Sequence, residues 1–102
     1  MPGMLHIVNK SPLERNSLAA CLRIAAPGAA ILLIEDAVYA ATRGTAVEAQ
    51  VREALGRFRI CALLPDLEAR AVADRVIDGV ATVDYGGFVD LVASSKACQS
   101  WL

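Results

Sequence analysis

Ala29-Ala30-Ile31-Leu32-Leu33-Ile34-Glu35-Asp36-Ala37-Val38-Tyr39-Ala40-Ala41 is the stretch whose reading decides the fold. Six uncharged residues run without a polar interruption into two acids and then into a segment of helix formers. A strand that is apolar at every position has no face to show water. It belongs in the middle of a parallel sheet covered on both sides, not in an antiparallel sheet with one wet face. The two acids mark its carboxyl end, where the chain turns.

Outward from this strand the same plan repeats. Residues 5–8 read as a short apolar strand interrupted by His6 and closed by Asn9-Lys10. Ser11-Pro12-Leu13-Glu14 then reads as a helix start, with a hydroxyl at the cap, proline at the first helical position and a glutamate able to reach back. The predicted helix carries Leu13, Leu18, Cys21, Leu22, Ile24 and Ala25 on one side and stops at Pro27-Gly28. After the central strand, Asp36 is expected to cap a short helix through Tyr39 and Ala41, broken by Gly44. Thr45 restarts helix to Leu55, with Glu48 and Arg52 paired at i, i+4. Residues 59–64 form the third predicted strand, followed by Pro65-Asp66 and a short helix from Leu67 to about Ala73. Val76-Ile77 offers a brief extended piece before a turn at Asp78-Gly79, and residues 80–83 the next strand. A last helix runs from Gly86 to about Ser95, and residues 96–102 read as a tail. Alternating strands and helices joined by short turns predict an α/β fold, one domain over residues 1–102, with a mainly parallel sheet of four or five strands.

Composition sets the class of partner. Hydrophobic residues make up 56% of the 102, above the usual ~45 to 50% of soluble domains, while no apolar run approaches the ~18 to 20 residues of a membrane span. Surplus apolar surface with no bilayer to hide in predicts a subunit of an oligomer. The net charge of −1 gives no electrostatic reason for direct nucleic-acid or membrane binding. The first residues lead into a strand without the basic and apolar regions of a secretion signal, so the expected location is the cytoplasm. Three cysteines without a CxxC pair, and a single histidine, exclude a local zinc motif and read as free thiols. No cofactor or metal is expected.

Glu35-Asp36, Asp66 and Asp84 all follow predicted strands, so a parallel sheet would gather them at its carboxyl edge, where open α/β folds bind ligands. A magnesium-dependent enzyme is one reading of that edge. Helix capping by each aspartate is the preferred one, because no glycine-rich phosphate loop accompanies the acids. His6 alone defines no catalytic geometry. Cys21, in the middle of an apolar helical stripe, stands between packing and chemistry, since a reactive thiol needs an open, electropositive setting. Cys61 reads as structural, and Cys98 lies in the tail. Tyr39, Phe88, Trp101 and Leu102 are large apolar residues on short helices or near the chain end. Core packing and docking on a neighbouring subunit both suit them.

Met4-Leu5-His6, Asn9-Lys10-Ser11-Pro12, Ile34-Glu35-Asp36-Ala37-Val38-Tyr39-Ala40-Ala41, Pro65-Asp66-Leu67-Glu68-Ala69-Arg70, Val83-Asp84-Tyr85 with Phe88-Val89, and Trp101-Leu102 together resemble the TusB/DsrH family, in order and spacing, from Met4 to Leu102. The resemblance implies the small three-layer α/β fold of the DsrEFH proteins. It also implies a place in a cytoplasmic dimer of heterotrimers with DsrE/TusD-like and DsrF/TusC-like subunits. That complex relays sulfur as a persulfide to a DsrC/TusE-like carrier. An accessory subunit, not catalytic alone, is what the family implies for this chain. Asn9-Lys10-Ser11-Pro12 followed by Cys21 in the first helix resembles the DsrH branch, which implies oxidative sulfur metabolism; the TusB branch, thiolating the wobble uridine of tRNA, is the alternative. Cys21 is then the candidate sulfur acceptor. Ala37 departs from the glycine expected after the acidic pair, which leaves the turn geometry there open.

Overall fold

The computed structural model describes residues 3–101. Its five strands are β1 (Met4–Val8), β2 (Ala30–Leu33), β3 (Arg59–Leu63), β4 (Ala81–Val83) and β5 (Ala97–Trp101), all parallel, in the spatial order β4-β3-β2-β1-β5. The helices are α1 (Ser17–Ile24), α2 (Glu48–Ala54), α3 (Leu64–Ala69) and α4 (Tyr85–Ser94), with 3₁₀ segments at Glu35–Ala41 and Ala73–Arg75. The central strand is β2, buried at all four positions as its unbroken apolar run requires.

The order of the strands dictates where the helices lie. From β1 to β4 the chain steps across the sheet in one direction, and right-handed crossovers put every connection on the same face. The larger core forms there, with Val8, Ile31, Leu33, Ile60 and Ala62 of the strands meeting Leu18, Cys21 and Leu22 of α1, Val51 and Ala54 of α2, and Leu67 of α3. The final step runs the other way, from β4 at one edge to β5 at the opposite edge. It puts α4 on the second face, over a smaller core of Leu5, Ala30, Leu32, Cys61 and Leu91. Among the described residues, a single helix of ten residues lies over this five-stranded face.

Three local expectations are corrected. Ser11-Pro12-Leu13-Glu14 does not begin α1: Ser11 O accepts from the N–H groups of Glu14 and Arg15 at 3.0 and 3.1 Å, one turn that goes no further. The Ser11 hydroxyl accepts from Leu13 N–H at 3.2 Å, inside that turn. Leu13 is 70% exposed, so no packing rewards continuing the helix, which starts at Ser17 behind Asn16 with no side-chain cap. The helix after β3 begins at Leu64, with Pro65 in its first turn, three residues earlier than read. The tail is a strand: Ala97–Trp101 pairs along β1 from Met4 to Val8. Nothing in its polar, uncharged sequence announces a strand, because it lies at an edge with residues 97–100 exposed.

The Glu48–Arg52 pair stands at 2.7 Å. Glu48 also reaches back to accept from Gly44 N–H at 2.7 Å, and this bond, with Arg52, holds its carboxyl below the ordinary glutamate range. Val76 bridges Thr42 in antiparallel fashion instead of forming a strand of its own.

Candidate functional site

The carboxyl edge of a parallel sheet is where open α/β folds bind ligands. Asp66, after β3, accepts the backbone N–H of Glu35 at 2.6 Å, across to the end of β2. That bond holds Glu35 in the left-handed region at φ 50, a conformation few non-glycine residues adopt. The strain therefore sits at Glu35. Ala37, where a glycine was expected, lies buried in the 3₁₀ segment without a positive φ and costs nothing. Asp36 caps no helix; its carboxylate takes two N–H groups of Arg70, at 2.8 and 3.0 Å. Arg70 also donates to Asp66 O at 3.1 Å. Capping describes only Asp84, whose Oδ1 accepts from Gly87 N–H at 2.8 Å and opens α4. The acids near β2 and β3 thus form a latch joined by an arginine. Among the described residues no group of three or more His, Cys, Asp or Glu side chains converges to hold a metal ion.

Cys21 is fully buried in the stripe of α1, between Leu18 and Leu22. Burial pushes its thiol up to about 11. The thiolate, the form that attacks a persulfide, is therefore strongly disfavoured at neutral pH. Cys61, on the α4 face of β3, is buried too; desolvation raises its thiol, and Arg59 offsets part of the rise. Cys98 on β5 is the exposed cysteine.

Tyr39 is half-buried against the larger core. Trp101 packs on the same core and donates its indole N–H to His6 Nδ1 at 3.0 Å, with ring centroids 6.0 Å apart. Since indole is a donor only, His6 keeps Nδ1 unprotonated, and burial lowers its pKa. Leu102 lies outside the described residues.

The remaining candidate, Phe88, opens onto a surface. Tyr85, Val89 and Val92 recur at i, i+4 and i+7 along α4 as exposed apolar residues, while half-buried Phe88 packs against the smaller core and reaches the surface beside them. Tyr85 is 61% exposed, Val89 65% and Val92 40%. Phe88, Val89, Val92 and Ala93 line a shallow, almost wholly apolar hollow of about 270 Å³. Sequence reading picked out Phe88 alone, because a strand-to-helix pattern cannot tell which of α4's apolar residues face the sheet and which face out. The topology answers this: among the described residues α4 is the one helix on its face, and Leu91 is its one buried residue.

A family model described as DsrH like protein matches residues 10–98. This chain belongs to the DsrH-like family. Protein TusB of Escherichia coli O81 (strain ED1a) is 33% identical over 98 residues, which span 96% of this chain and all of that protein. Protein TusB of Shigella flexneri is 32% identical over the same length and coverage. Among solved structures, the ychN protein from E. coli superposes with a TM-score of 0.84 at 20% identity, over 99% of this chain and all of that one. A protein of unknown function from Methanobacterium thermoautotrophicum gives 0.65 at 18% identity, over 94% of this chain and 97% of that one. At those identities the two structures bear on fold, and they place this DsrH-like chain in the α/β fold that its sequence predicts.

Proposed function

We propose that this DsrH-like chain is an accessory subunit of a cytoplasmic sulfur-relay complex that serves 2-thiolation of the wobble uridine of tRNA. The observation that carries the reading is the TusB likeness along the whole chain. It favours the tRNA branch over the oxidative sulfur metabolism that the first-helix cysteine suggested. That cysteine argues weakly for either branch, because it is buried with a thiol held near 11.

In this reading the sulfur travels on a cysteine of a TusD-like sister subunit and leaves on a TusE-like carrier. The chain itself binds and positions. The exposed Tyr85, Val89 and Val92 of α4, with the part of Phe88 that lines the hollow beside them, supply the apolar surface that a permanent partner, TusC-like or TusD-like, would bury. The Arg70 latch ties Asp36, after β2, to α3 at the carboxyl edge. Cys21 has neither the openness nor the cation that an obligatory persulfide carrier needs.

The test is replacement in a bacterium deprived of its own TusB. Expression of this chain should restore the slow-migrating, thiolated tRNA band on a mercury-containing gel. A chain that assembles with the resident sister subunits and still leaves the tRNA unthiolated would overturn the tRNA reading.

A further inference from the structure

Strand β5 leaves one edge of the sheet open. Ala97 N–H donates to Gly3 O at 3.1 Å. Groups alternate along a strand, so Ala97, Gln99 and Trp101 turn their N–H and C=O toward β1, whereas Cys98 and Ser100 turn theirs outward. Residues 97–100 are all exposed, and among the described residues no strand pairs with the outer side of β5. Soluble proteins blunt an edge with charge, proline, a bulge or brevity. The opposite edge follows that rule, since β4 has three residues. β5 has five, carries no charge and no proline, and pairs with β1 in unbroken register.

We infer that β5 is the docking strand for a second copy of this chain, paired antiparallel about a two-fold axis through Gln99. Cys98 and Ser100 are two apart, so setting each against the other residue of the second copy closes four main-chain hydrogen bonds and leaves none of the outward groups unpaired. A two-fold brings every residue near its own kind. An uncharged strand meets itself without the like-charge cost that penalises cross-strand pairs, and the Gln99 amide, both donor and acceptor, complements its own copy at the axis. The contact extends past the strand: Met4, His6, Ile24, Ala26, Gln99 and Trp101 line a hollow of about 450 Å³ beside it, with Ile24 exposed at its rim. Two five-residue strands alone cover less than the ~1,200 Å² of a stable interface, so the pairing is reversible and concentration-dependent. It does not rest on the sulfur-relay reading, because it uses β5 and not α4.

The full-length chain carrying Cys98→Ser and Gln99→Cys tests it. At the axis the two introduced cysteines form a non-hydrogen-bonded pair with Cα atoms about 4.5 Å apart, inside the range a disulfide spans. Mild oxidation should give a covalent dimer. Adding Ser100→Pro, which removes an outward N–H and spares the ladder to β1, should abolish it. Cross-linking no faster than that of Thr82→Cys on the exposed β4 edge, in the same Cys98→Ser background, would overturn the proposal. So would cross-linking that Ser100→Pro leaves unchanged. Should the proline variant fail to fold, light scattering of the unaltered chain decides: a monomer–dimer shift from micromolar to millimolar supports the pairing, and a monomer throughout refutes it.

Discussion

His6 is the ionisable residue of β1 and sits buried on the α1 side of the sheet, where the Trp101 indole occupies its Nδ1. Protonation would turn that nitrogen into a second donor facing the first, so the folded chain favours neutral imidazole, in line with the pKa lowered by burial. The unfolded chain then binds the proton more readily, and stability falls as pH drops below the unfolded value near 6.5. Urea unfolding between pH 8 and 5 should show a plateau above about 6.5 and a decline below it, absent in His6→Gln. Trp101→Phe leaves Nδ1 without its donor and should cost about 1 to 3 kcal/mol at pH 8. The thiols give a second check. Iodoacetamide on the native chain should modify Cys98 and spare Cys21 and Cys61, and denaturant should expose all three; rapid native labelling of Cys21 would contradict the burial on which its passive role rests.

At the scale of elements, what the sequence made legible was what neighbours close in sequence fix. The unbroken apolar run of β2, the Glu48–Arg52 pairing in α2 and the Asp84 start of α4 are where the pattern put them, because each is fixed by neighbours close in sequence. Ser11 misled, since a hydroxyl followed by proline and glutamate suits an isolated turn as well as a helix; only the exposure of Leu13, a tertiary fact, separates the two. Asp36 and Asp66 misled for a related reason: their partners, Arg70 and the Glu35 N–H, come from other elements, more than thirty residues away in sequence. β5 was illegible because its stability comes from pairing with β1, not from burial of its side chains. Two substitutions compare the starts directly. Asp84→Ala removes a true cap and should cost about 0.5 to 2 kcal/mol, with loss of helical signal from α4. Ser11→Ala removes one bond within a turn and should cost about 0.5 to 1.5 kcal/mol with no helical signal lost; a helix-sized loss from Ser11→Ala would restore the discarded cap.

For the molecule as a whole, the strand order is the source of its incompleteness. Three steps one way stack α1, α2 and α3 on one face, and the single return step leaves α4 to cover the other. The 56% hydrophobic content predicted surface in want of a partner, and the topology places part of it along the exposed Tyr85, Val89 and Val92 of α4, beside the hollow that Phe88 helps to line. A charge at Val89 faces water in the isolated chain and should leave its unfolding midpoint within about 0.5 kcal/mol of the original, yet the same charge buried in an interface without a partner is strongly unfavourable. The most direct measurement of the account is therefore native mass spectrometry of this chain co-expressed with TusC-like and TusD-like subunits, compared with its Val89→Asp variant. The original should give a defined hetero-oligomer, and the variant a folded chain that joins neither sister subunit. A hetero-oligomer that forms equally well with Val89→Asp would contradict it.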